Sequence, residues 1–181
     1  MLDTTRYIIW KENINFSWDY FLLKYEPKNV KEAAFIATNI SWTTETNEKE
    51  NIIICYTQTY LDKKESWSLY YNKIDADSCK SNGLLNHELG HFNIDEIYAR
   101  ESRMLISKIK AKSFEKVYDE IQKIAQKTLN KRFREQTKYD EETEHGTNKE
   151  KQAEWDKQIA ERLRELEQYK DIVVTIRLQS R

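Results

Sequence analysis

Five residues near the middle of the chain have the types and spacing of a metal site. They are His87-Glu88-Leu89-Gly90-His91, an H-E-x-x-H segment. Two histidines four apart on a helix stand on one face, one turn apart, so both imidazoles can reach a single ion. Glu88, beside the first histidine, is placed to take a proton from a water on that ion. A catalytic zinc site uses three protein ligands and leaves a fourth position to water. The segment supplies two, so a third must come from elsewhere. A plain amphipathic helix with surface histidines would need neither the third ligand nor Glu88.

Composition narrows the search for the third ligand. The only histidines are His87, His91 and His145, and the only glycines are Gly83, Gly90 and Gly146, which lie in or beside the same two segments. Asp95 shares the face of His91, but an unbroken helix carries it about 12 Å along the axis from His87. Glu96 is turned about 140° from His91 and points away. His145 remains, in Tyr-Asp-Glu-Glu-Thr-Glu-His-Gly (139–146), where a glycine beside it permits a backbone turn that aims the ring. The expected site is therefore Zn²⁺ on His87, His91 and His145, with Glu88 as general base. Tyr139 is the expected hydroxyl donor to a developing oxyanion, with Tyr98 as the alternative. Asp140, Glu142 or Asp95 would orient a ligand imidazole. Gly90 costs a helix roughly 1 kcal/mol relative to Ala, so close approach of another segment is expected there.

The elements around these residues read as α+β. Strands and loops fill the first eighty residues. Arg6–Trp10 is a short apolar run, and Asn15–Leu23 is an aromatic core stretch ending near Pro27. Ala33–Thr44 and Asn51–Tyr60 form the best strand pair, joined by a hairpin loop at Glu45–Glu50. Along the second strand Ile52, Ile54, Tyr56, Gln58 and Tyr60 share one face, and Ile53 and Cys55 the other. At a sheet edge this strand would pair with an extended peptide. A longer connection, Asp62–Ser78, leads to a turn at Ser81–Gly83 and the motif helix from Leu84. Ile94, Ile97, Tyr98, Leu105 and Ile109 extend that helix, and Phe114 to Leu129 carries a second helical stripe. Residues 134–147 are polar and non-periodic. A capping box at Thr147–Glu150 starts a third helix, striped by Trp155, Ile159, Leu163, Leu166 and Tyr169. Ile172–Leu178 is a terminal strand. The expectation is one domain over residues 1–181, β-rich at 1–80, helical at 84–170, with a strand at 172–178.

The chain has 181 residues, 39% hydrophobic and 12% aromatic, enough for a real core. Its net charge of −1 gives no reason to expect nucleic acid as a partner. No apolar run is long enough for a transmembrane segment. Met1 is not followed by an apolar leader, which fits a cytoplasmic protein or an exported one whose signal peptide is missing here. Cys55 and Cys79 make either one disulfide in an exported protein or two free thiols. Nothing in the pattern specifies an oligomeric state.

Two segments together carry a resemblance: Leu85-Asn-His-Glu-Leu-Gly-His-Phe-Asn-Ile-Asp-Glu-Ile-Tyr-Ala-Arg (85–100), and Tyr-Asp-Glu-Glu-Thr-Glu-His-Gly (139–146) with Gln152 and Trp155 beyond. Weaker echoes are Ser17-Trp18-Asp19-Tyr20-Phe21, Ala33-Ala34-Phe35 and Ser66-Trp67. The chain resembles the predicted secreted zinc-dependent proteases of bacteria, long catalogued only as a domain of unknown function. The family pattern has Asp where this chain has Asn93. The resemblance implies a zincin-like fold, a twisted N-terminal sheet packed on a helical half that carries the motif helix. It also implies export and hydrolysis of peptide or protein substrates. Two rival functions are a zinc-containing binding or structural protein without turnover, and a zinc amidase acting on cell-wall material.

Overall fold

The computed structural model of the chain describes residues 3–24, 33–70 and 79–179, with backbone alone at residues 79 and 80. Along them run β1 (Tyr7–Ile9), β2 (Ala34–Phe35), β3 (Thr38–Asn47), β4 (Ile52–Asp62), β5 (Trp67–Ser68), α1 (Cys79–Ile106), α2 (Phe114–Thr143), α3 (Lys149–Glu165) and β6 (Val173–Arg177). The architecture is mixed α+β, with a sheet built before and after a block of three long helices.

The β-branched residues Thr43, Thr44 and Thr46 keep β3 extended beyond the expected loop. The hairpin therefore pairs from Thr38↔Leu61 to Asn47↔Ile52 and turns through residues 48–51. Asn51, at φ 53°, supplies the left-handed position of that turn. β1 pairs with one end of β4, Ile9 opposite Tyr60, and β6 with the other, Ile53 opposite Ile176. β4 is thus the central strand, covered along both edges, and offers no free edge to a peptide. A separate pair, β2 with β5, sets Phe35 opposite Trp67.

Alternation along β4 sends Ile53, Cys55, Thr57, Thr59 and Leu61 toward the helices, where all five are buried. Ile54, Tyr56, Gln58 and Tyr60 lie half-buried on the outer face. The inner face includes two threonines because α1 meets it with charge. Thr59 Oγ1 donates to Glu96 Oε2 at 2.9 Å, and the Thr57 carbonyl accepts from Arg103 Nε at 3.1 Å and Nη2 at 2.8 Å.

α1 begins earlier than the Ser81–Gly83 turn signal suggests. Ser81 is buried inside it, with Trp18 Nε1 donating to its hydroxyl at 2.7 Å. The helix packs on neighbours around most of its circumference. Phe92 joins Trp18, Phe21 and Leu61, while Ile94, Ile97 and Tyr98 join Trp155 and Ile159. Ile106 meets Ile53, Cys55 and Val117. Asn93 accepts from Trp10 Nε1 at 2.8 Å, a bond an amide oxygen makes as well as a carboxylate. Glu96 Oε1 receives Arg100 Nε at 3.1 Å and Arg103 Nη1 at 2.8 Å, and all three side chains are buried.

α2 starts at Ser113, whose side chain accepts from the Lys116 amide, and runs unbroken to Thr143. The polar residues after 134, expected to be irregular, are its last turns. Glu144 caps it in the left-handed conformation, and α3 follows from Asn148, whose side chain accepts from the Lys151 amide at 3.1 Å. The cap falls one residue beyond the Thr147 capping box. Cys55 is a buried free thiol. The side chain of Cys79, together with Pro27 and Tyr71, lies outside the described residues. No described helix is long and apolar enough to cross a membrane.

Removing a buried charge strands its partners. Glu96→Ala leaves Arg100 and Arg103 without a carboxylate and is expected to cost about 3–5 kcal/mol, read as a lower midpoint in urea denaturation.

Candidate metal centre

The 3.6-residue period brings His87 and His91 to one face of α1, and α2 crosses that face. Along α2 the residues that reach the same cleft are spaced by four: Arg132, Gln136, Asp140 and Glu144. Asp140 meets both histidines. Its Oδ1 lies 3.1 Å from His87 Nε2 and 3.0 Å from His91 Nε2, and the two Nε2 atoms are 3.2 Å apart. Ligands held ~2.0–2.1 Å from a tetrahedral zinc sit ~3.3 Å from one another. The triangle has the size such an ion requires.

The proton inventory of these three atoms points the same way. His87 Nδ1 faces Gln152 Oε1 at 3.1 Å, and His91 Nδ1 faces Gln136 Oε1. The amide orientations are fixed by their other ends. Gln136 Nε2 donates to the His91 carbonyl at 2.9 Å and Asp95 Oδ1 at 2.6 Å, groups that only accept. Gln152 Nε2 donates to Asp156 Oδ1 at 2.8 Å and Tyr139 Oη at 2.7 Å, and the Tyr139 proton itself goes to the His87 carbonyl at 3.0 Å. Both Nδ1 atoms must therefore carry hydrogen. In neutral rings both Nε2 atoms are then lone pairs, and with Asp140 three acceptors converge with no donor among them. Only a cation satisfies that arrangement, either a metal ion or a proton on one ring.

Electrostatics assign that proton. Burial lowers the pKa of His87, and the neighbouring charge of His91 adds to the effect. Burial opposes charge on His91 too, but the hydrogen bond to Asp140 and the charge of Glu88 outweigh it and raise that pKa. Burial also works against the Asp140 carboxylate, yet its bonds to His87 and His91 hold it far below the usual carboxylate range. A metal bound here would compete with a proton on His91.

The remaining expected residues fall into place around this triangle. Glu88 is buried at 4% exposure and lines the cleft beside the histidines. His145 stands next to the group and not in it. Its Nδ1 is 3.6 Å from Asp140 Oδ1, and its side chain is 57% exposed in the cleft. Three consecutive left-handed residues put it there: Glu144, His145 and Gly146, at φ 50°, 54° and 79°. A Cβ on Gly146 would come within 2.8 Å of His87 Cβ, so glycine is required by space as well as by φ.

Tyr139 is fully buried beneath the rings, stacked on His87 at 4.6 Å and edge-on to His91 at 4.9 Å. Its hydroxyl proton is committed to the His87 carbonyl. Tyr98 lies in the helical core and donates to Glu135 at 2.5 Å. Glu142 accepts from Trp155 Nε1 at 2.9 Å, away from either histidine. Asp95 reaches His91 only through Gln136, and also accepts from Arg132 Nε at 2.5 Å. Glu96 points away from the site, as its rotation on the helix requires.

The sequence reading gave Asp140 only an orienting part, because the helix that carries it was not legible. Its one signal was the four-residue spacing of Arg132, Gln136, Asp140 and Glu144. Gln136 gave no signal of its own.

The residues match the family described as bacterial protein of unknown function (DUF922) over 24–146, about two thirds of the chain. The chain belongs to this family. The matched span takes in the motif helix and the turn at His145 and stops before α3. No curated protein matches, and no solved structure does.

Two outcomes follow from this geometry. A Cβ on Gly90 would lie 2.7 Å from Tyr139 Cζ and closer still to its Oη. Gly90→Ala, normally stabilising in a helix by roughly 1 kcal/mol, is expected to destabilise by about 1–3 kcal/mol through overpacking, measured by denaturant melts. Metal binding needs the neutral form of His91, whose pKa is raised. Zinc affinity is therefore expected to be full above that pKa and to fall as pH drops through it, seen by calorimetric titration between pH ~8 and ~5.5.

Proposed function

We propose that the protein is a zinc-dependent peptidase. The observation that carries this reading is the convergence of two imidazole nitrogens and a carboxylate oxygen, all acceptors, at the wall of an open cleft of about 1750 Å³ with Glu88 beside them. The group His87, His91 and Asp140 is suited to hold a metal ion. Nitrogen and oxygen donors at tetrahedral spacing favour zinc. In this reading Asp140 takes the third position that the sequence alone offered to His145.

Zinc bound there would supply an activated water and polarise a carbonyl. The chain's own residues do the rest. Glu88 accepts the proton of the attacking water and returns it to the leaving amine, a carboxylate task that needs its place next to His87. His87, His91 and Asp140 fix the reacting centre on two helices held by buried contacts, with Tyr139 as the floor under both rings. The cleft sets the apolar residues of 33–37 against the polar faces of α1 and α2. Such a trough suits an extended peptide, which presents side chains to one wall and carbonyls to the other. A helix bearing H-E-x-x-H packed on an antiparallel sheet also agrees with the zincin-like fold that the resemblance implies. A purely structural ion has no use for Glu88 and usually closes its fourth position.

The decisive experiment measures bound zinc per chain by elemental analysis, followed by cleavage of a mixed peptide library read by mass spectrometry. Asp140→Ala is expected to lose zinc, whereas His145→Ala keeps it. The reverse pattern would move the third ligand to His145. Glu88→Gln is expected to keep zinc and lose roughly 10²–10⁴-fold in cleavage rate. Full activity in that variant would remove the general base and with it the peptidase mechanism.

A further inference from the structure

The two glutamines beside the site lie on different helices, Gln136 on α2 and Gln152 on α3, and each presents its amide oxygen to a histidine Nδ1. Each amide is clamped from behind by a carboxylate, Asp95 for Gln136 and Asp156 for Gln152. Histidine free in water prefers to carry its proton on Nε2, which here would put hydrogens where an ion must sit. We propose that Gln136 and Gln152 are positioning residues that force both rings into the Nδ1–H form and, being neutral acceptors where a carboxylate would serve as well, limit how tightly the ion is held. The proposal rests on the metal-site reading above.

The argument has two parts. First, the acceptors act in pairs with their clamps. A glutamine amide free to flip would present NH₂ to the ring as readily as oxygen. The bonds to the His91 carbonyl and Asp95 on one side, and to Tyr139 Oη and Asp156 on the other, make that flip costly, because each reversal would face oxygen with oxygen. Second, a carboxylate accepting from Nδ1–H makes an imidazole more basic and a stronger ligand, and outer partners of this kind shift metal affinity roughly 10–100-fold. A neutral amide oxygen orients the ring without lending it that charge. The ion is held less tightly and stays more electron-poor, and an electron-poor ion is the better activator of water. Carboxylates are close at hand in Asp95 and Asp156, but one amide separates each from its histidine.

The test uses the full chain as wild type, Gln136→Met, Gln152→Met and the double variant Gln152→Glu/Asp156→Asn. Nitrogen-15 NMR of labelled histidines in metal-free protein, at a pH raised until the ring signals stop shifting, reports the tautomer. Competition with a chromophoric chelator reports zinc affinity. The expected result is Nδ1–H at His87 and His91 in wild type. Each methionine variant moves its own ring toward Nε2–H and binds zinc roughly 10–100-fold more weakly. Gln152→Glu/Asp156→Asn restores the acceptor, with the Asn amide donating to the new carboxylate where Asp156 accepted from Gln152, and binds zinc at least as tightly as wild type. Nε2–H rings in wild type, or methionine variants that bind like wild type, overturn the proposal. So does equal weakening by methionine and glutamate at 152, which marks lost packing alone. A wild-type chain that binds no zinc overturns the metal reading and the affinity half of the proposal together. The tautomer result is read independently of both.

Discussion

Three lone pairs of electrons, from two imidazoles and a carboxylate, are held within 3.2 Å of one another. Lone pairs in that arrangement repel one another unless a cation sits among them. The rest of the structure supplies the force that keeps them together. α1 fixes the two rings one turn apart, α2 brings the carboxylate across, and α3 closes the third side through Gln152. Tyr139 fills the space beneath and occupies the notch left by Gly90. Each constraint comes from a different stretch of chain, so the site exists only when the helices are fully packed.

That packing depends on α1 being embedded, since a helix so enclosed cannot drift. Apolar contacts cover much of its surface, and the side toward the central strand is occupied by Glu96, Arg100 and Arg103, buried together against Thr57 and Thr59. A charged cluster of this kind specifies one rotation of the helix about its axis, because any other would bury guanidinium groups against hydrocarbon. The rotation that satisfies the cluster also turns His87 and His91 toward α2. Core electrostatics and site geometry are two faces of one helix.

Much of this was legible in the residues. The motif helix, the hairpin of β3 and β4, the terminal strand and the helix from 149 all follow from periodicity and capping chemistry. The end of α2 did not. From 132 to 143 the side toward the cleft carries Arg132, Gln136 and Asp140, and Tyr139 is the one buried aromatic of that stretch. Periodicity registers hydrophobic stripes, so a helix whose inward face is polar looks like a loop. The same blindness reached β4. Its inner face holds Thr57 and Thr59 beside Ile53, Cys55 and Leu61, so polarity alone does not mark it as the buried one. His145 drew the eye as the last histidine, while the nearer donor was a carboxylate among many. Asp140 is distinguished only by what crosses in front of it.

The arginines of α1 also tie distant parts of the chain together in time. Arg103 bonds to carbonyls at Thr57, Tyr169 and Lys170, and Arg100 bonds to the carbonyl of Leu163. On a growing chain, α1 is made some sixty residues before those last acceptors exist. Until residues 163–170 arrive, Arg100 has among the described residues only Glu96, and Arg103 only Glu96 and Thr57, as hydrogen-bond partners, and the edge of β4 that β6 will cover stands open. The motif helix can form early, but it cannot be seated. The cleft with its three converging acceptors is therefore completed only after α3 and the residues that follow it have been made.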